Sequence, residues 1–158
     1  MAGFKVITEA DRALLALDIR REAFDDNNGN FQGYALVGSK TIAVSPISFD
    51  PIKTASHEVA HILLGHTQVP PHGEKAIPKD VKECEAELVA YLCSTALGII
   101  ELLQYSLGYI QHWREDTTTE KIRYPVVFNV TDQILKGGRS KPVRPDGSSP
   151  GSENLALH

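Results

Sequence analysis

The chain has 158 residues, 42% hydrophobic and 23% charged, a composition that supports a folded domain and excludes disorder throughout. Sixteen basic against 20 acidic residues give a net charge of −4, which argues against nucleic acid as the main partner, because phosphate binding needs a basic face. No apolar run approaches the ~20 residues of a membrane span, and the start MAGFKVITEADR has no apolar stretch behind a basic end, so neither a membrane segment nor a secretory signal is expected.

Thr8 opens a predicted helix, with Glu9 and Asp11 in its first turn and Leu14, Leu15, Leu17 and Ile19 on its apolar face, running to about Phe24. Asp25–Asn30 reads as a turn-rich loop. Gly33–Val37 and Thr41–Val44, joined at Gly38-Ser39-Lys40, read as a β-hairpin. Asp50 then caps a helix that has Pro51 at its first position and runs to about Leu64, with Gly65 as its stop. A loop with Pro70, Pro71 and Pro78 follows. Asp80-Val81-Lys82-Glu83 resembles a capping box, and the helix behind it reaches Leu97, stopped by Gly98. A further helix is expected over Glu101–Trp113, and a last one over Thr118–Leu135, bent or broken at Pro125. From Gly137 on, 11 of 22 residues are Gly, Ser or Pro. Residues 1–136 are therefore read as one domain and 137–158 as a flexible tail. The fold class is α+β, mostly helical, with a small hairpin or sheet before the central helix.

Cys84 and Cys93 lie nine residues apart. On one helix that is about 13 Å along the axis and on opposite faces, so they cannot pair with each other. Free thiols without a signal point to a reducing, cytoplasmic setting.

The chemistry sits in Ser56-His57-Glu58-Val59-Ala60-His61-Ile62-Leu63-Leu64-Gly65-His66. His57 and His61, four apart, share one helix face and suit Zn²⁺, which binds imidazole nitrogen at ~2.0–2.1 Å. Glu58, one residue on, can take a proton from an attacking water without being a ligand. A catalytic zinc needs a third protein ligand. No histidine follows His61 at six residues, where Thr67 stands, which excludes the metzincin arrangement. His66 falls on the opposite side of the helix by periodicity; it and His72 read as exposed loop histidines.

The third ligand is then a carboxylate from the next helix. Glu83 and Glu87 share a face there, and Glu85 is rotated about 200° from Glu83. Glu83 is assigned as the ligand. Glu87, one turn along, comes within reach of a ligating histidine's free N–H. Capping accounts for the competing Asp80, and a Cys84 thiolate would suppress Lewis acidity.

These residues resemble a known group. SHEVAHILLGH followed by ECEAELVAYLCSTALGI is similar to the ImmA/IrrE family of metallopeptidases and to the metallopeptidase domain of ArdC-type antirestriction proteins. Glu83, Ala86 and Ala90 fall on the second motif of the first family, with Glu87 where that motif has Asn. Leu97-Gly98-Ile99 and Tyr109-Ile110-x-x-Trp113 match the ArdC-type pattern. The resemblance implies a minimal zincin of the gluzincin type, with His57, His61 and Glu83 as ligands and Glu58 as general base. Its implied substrate is a protein partner, such as a repressor or other regulator of mobile elements or stress. Only 56 residues precede His57, too few for the DNA-binding domain of ArdC-type proteins.

The sequence thus leads to a zinc metallopeptidase. The alternative is a catalytically latent zinc-binding protein acting by interaction, including antirestriction. Thr41–Val44 is the expected open edge strand for an extended peptide, the alternative being a paired structural strand. Tyr91, Tyr105, Tyr109 and His112 remain open as oxyanion donors.

Overall fold

The computed structural model describes residues 9–25, 31–99 and 119–139, with Gly108 and Gln111. Apart from Gly108 and Gln111, the expected helix Glu101–Trp113, with Tyr105, Tyr109 and His112, lies outside the described residues, as do most of the Asp25–Asn30 loop and the chain beyond Arg139. The fold is α+β, with about half of the described residues in helices. The elements are α1 (Glu9–Ala16), β1 (Arg20–Arg21), β2 (Gly33–Ala35), β3 (Thr41–Val44), α2 (Pro51–Leu63), α3 (Lys79–Ala96), a 3-10 turn (Thr119–Lys121) and α4 (Tyr124–Gly138).

Helix α1 is shorter than its apolar pattern predicts. Asp18 adopts a left-handed backbone (φ 54°), and the Ile19 and Asp18 N–H groups return to the carbonyls of Leu14 and Leu15. This is a Schellman ending. Ile19 is buried as the residue that folds back onto Leu14, not as a continuation of the helix. The chain then enters β1, which pairs parallel with β3 (Arg20↔Thr41).

The expected hairpin is present, with Tyr34↔Ala43 antiparallel, but the sheet has three strands in the order β1-β3-β2. Thr41–Val44 is therefore the central, fully buried strand and not the open edge. A short, apolar β-branched strand can take the centre because a third strand covers its other side. Among the described residues, β2 forms one unpaired edge of the sheet, and the two-residue β1 forms the other. The bonds Leu36 N–H to Thr41 O and Ser45 N–H to Gln32 O set the alternation, so Gly33 and Ala35 turn their N–H and C=O groups outward.

Asp50 caps α2 as predicted, accepting from the Ile52 and Lys53 N–H groups, with Pro51 at the first position. Helix α3 begins one residue before the expected cap. Pro78 holds the cap position without a side-chain bond, and Asp80 sits in the first turn, so no capping box forms. Glu83 is thus not committed to the helix start. Pro125 likewise falls in the first turn of α4, where its missing N–H costs nothing; the expected bent or broken helix is broken here, into the 3-10 turn Thr119–Lys121 and α4. α4 continues to Gly138, past the expected boundary at residue 136.

The core joins Ile42 and Val44 of the sheet, Val59 and Ala60 of α2, Ala86 and Val89 of α3, and Val127 and Val130 of α4. Ala60, Ala86 and Ala90 are fully buried. Such small side chains let α2 and α3 approach closely, which is what brings their polar faces within bonding distance. Cys84 and Cys93 are buried free thiols, both pushed up by burial, Cys93 to about 12. No helix among the described residues is long and apolar enough to cross a membrane.

Gly33 sets the spacing between β2 and α2. A Cβ there would lie 2.8 Å from Thr54 Cγ2, 2.9 Å from the Ala43 carbonyl and 3.2 Å from Glu58 Cγ. The carbonyl belongs to the central strand and cannot yield. Gly33→Ala is expected to cost about 1–3 kcal/mol, read as a lower urea midpoint. An unchanged midpoint would show that β2 can move off α2 freely.

Candidate metal centre

The two histidines of α2 lie one turn apart, and their Nε2 atoms are 3.1 Å from each other. From α3, Glu83 reaches across, with Oε2 3.3 Å from His57 Nε2 and Oε1 3.7 Å from His61 Nε2. Among the described residues, His57, His61 and Glu83 form a group of side chains able to hold a metal ion. Four ligands ~2.0–2.1 Å from a tetrahedral zinc stand about 3.3 Å apart, so these spacings fit the ion. Three acceptor atoms this close repel one another unless a proton or a cation lies among them.

The electrostatics agree. Burial disfavours charge on His57, yet the hydrogen bonds its ring donates to Glu83 and Glu87 hold it up at about 9. His61 is pushed down, by burial and then by His57 beside it. Glu83 is lowered by its bond to His57.

Each ring is also held from behind. His57 Nδ1 meets Glu87 Oε2 at 3.1 Å, and Lys53 Nζ sits 2.6 Å from the other oxygen of that carboxylate. Burial opposes the charge on Glu87, but these two partners keep it down at about 2. Such a carboxylate fixes the ring orientation and leaves Nε2 for a metal.

His61 is held differently, through residues the sequence reading missed. His66 is buried, not an exposed loop histidine, whereas His72 is exposed. Gly65 takes a left-handed conformation (φ 78°), and the His66 N–H returns to the His61 carbonyl at 2.9 Å, closing a Schellman turn. This brings His66 Nδ1 to 2.9 Å from His61 Nδ1. Its Nε2 lies 2.8 Å from Glu85 Oε2, and Glu85 is 0% exposed. Arg123, leading into α4, donates to Glu85 from Nε (3.0 Å), Nη2 (2.6 Å) and its backbone N–H (2.9 Å), and from Nη2 to the Leu64 carbonyl (3.1 Å). Arg123 Nη2 also lies 3.2 Å from His66 Nε2, because both donors converge on the same oxygen. Burial opposes charge on Glu85, and the bonds from His66 and Arg123 override it, to about 2. His66 is lowered by burial, with Arg123 and Lys82 opposing a second proton.

Glu58 is buried at the same cleft, an opening of about 760 Å³ that also touches Gly33, Ala35 and all three converging residues. Burial pushes Glu58 up to about 7, against the pull of His57. Asp80 is not among the converging residues. Cys84 packs with Val81 and Ile122 instead. Comparison with protein-family models, with curated proteins and with solved structures finds no match.

Proposed function

We propose that this chain is a zinc-dependent metallopeptidase of minimal gluzincin type, which hydrolyses a peptide bond in a protein partner such as a repressor or regulator. The observation that carries the reading is the convergence of His57, His61 and Glu83 from two helices at spacings of 3.1–3.7 Å. The likeness of SHEVAHILLGH and the α3 motif to the ImmA/IrrE and ArdC-type metallopeptidases agrees with it.

His57, His61 and Glu83 would hold the zinc, which supplies Lewis acidity toward a carbonyl and a more acidic water. Glu58, buried next to His57, would accept the proton of the attacking water and return it to the leaving amine. The outward N–H and C=O groups of Gly33 and Ala35 would hold an extended peptide along the open edge of β2, above α2. The carboxylates of Glu87 and Glu85 keep the imidazoles oriented from behind.

The test is Glu58→Gln in the zinc-loaded chain, assayed on casein as an unstructured substrate. Cleavage is expected to fall by about 10²–10⁴-fold with zinc content unchanged. Equal slow cleavage by both proteins would remove Glu58 from the chemistry. No cleavage by zinc-loaded wild type would favour a metal-bearing interaction protein instead.

A further inference from the structure

We infer that His66, Glu85 and Arg123 are positioning residues that fix which ring nitrogen of His61 carries its proton, and so keep Nε2 open toward the metal. That role presupposes the metal site proposed above.

The polarity of the chain of bonds follows from its far end. Three donor groups of Arg123 point at Glu85, so this fully buried carboxylate is an acceptor only. Its Oε2 faces His66 Nε2 at 2.8 Å, and that nitrogen must therefore carry a hydrogen. The His66 side chain is only 1% exposed, so no solvent competes for it. With one proton already on Nε2, and a guanidinium beside it, His66 Nδ1 is a lone-pair acceptor. The group facing it at 2.9 Å is His61 Nδ1, which must donate. A neutral imidazole with its proton on Nδ1 has its lone pair on Nε2. That lone pair points at His57 and Glu83.

The two ligand rings are thus set by two arms of one design. Glu87, backed by Lys53, orients His57 directly. Glu85, backed by Arg123, orients His61 through an intervening imidazole. All three acids of the Glu83-Cys84-Glu85-Ala86-Glu87 run serve one site, although Glu85 leaves α3 on a different face.

Two measurements test this on the full chain. Ring nitrogen shifts from long-range ¹H–¹⁵N NMR of the metal-free protein at neutral pH report the tautomer of His61. The Nδ1–H form is expected, and the Nε2–H form overturns the proposal. Zinc affinity, by competition with a chromophoric chelator, gives the second readout. His66→Phe is expected to weaken zinc by roughly 10–100-fold, the usual cost of losing such a supporting bond. His66→Gln is expected to recover most of that, since its amide can accept from His61 and donate to Glu85. Wild-type affinity in His66→Phe overturns the proposal. If that variant fails to fold, the tautomer of the wild type still decides. Failure of the wild type to take up zinc would sink the metal site itself, and the tautomer would again decide this inference separately.

Discussion

Metal-stripped protein titrated with zinc is expected to take up about one equivalent, which His61→Ala and Glu83→Ala lose and Glu58→Gln keeps. The physical reason is the ligand count. Each of the three residues contributes one atom of a cluster 3.1–3.7 Å on edge, and two atoms cannot enclose the ion. Deleting a ligand should therefore cost more than the roughly 10–100-fold that follows loss of a bond behind a ligand. Zinc at 100 times its dissociation constant should also stabilise the wild type by about 2.7 kcal/mol, and neither ligand variant. Elemental analysis and thermal melts with and without zinc check both statements. Near-stoichiometric zinc in His61→Ala and Glu83→Ala would show that the ligand set is wrong.

Arg123→Ala is expected to be the most destabilising single truncation outside the apolar core. It would strip three donor groups down to the backbone N–H, leaving a fully buried Glu85 charge on that N–H and His66. Removing one partner of a buried pair costs about 3–5 kcal/mol. The Arg123 side chain is 37% exposed, which places the loss at the lower end of that range, or about 10 °C in melting temperature. The pH dependence has a definite sign. Glu85 sits near 2 in the fold, against ~4.3 in an unfolded chain, so its stabilisation is present above about pH 4.3 and is lost as pH falls toward 2. The gap between wild type and Arg123→Ala should accordingly be widest at neutral pH and narrow below pH ~4. Urea unfolding at pH 7 and pH 3 measures it. A constant gap would mean that Arg123 acts by packing and not through the Glu85 charge.

What was legible in the sequence was local. The i, i+4 pair His57 and His61, the Asp50-Pro51 start and the Gly65 and Gly98 stops follow from helical geometry and backbone chemistry within a few residues. Glu83 and Glu87 could be placed on one face of α3 for the same reason. His66 was misplaced because helical periodicity was carried one turn too far. The signal was present all the same. With Gly65 in a left-handed turn, the next residue folds back onto the residue three before the helix's last cap, and here those two are His66 and His61. The same rule ends α1 at Asp18 and buries Ile19.

The sequence alone determined which side chains share a helix face and where most helices start and stop, since these depend on propensity, capping and a 3.6-residue period. Only the tertiary structure decided that β3 lies at the centre and β2 at the edge, because strand order depends on a two-residue parallel partner with no periodicity to read. It also decided that Arg123, 38 residues from Glu85 along the chain, closes the network behind His61. A buried charge selects its partner by desolvation and distance in space, and neither quantity is written in local sequence.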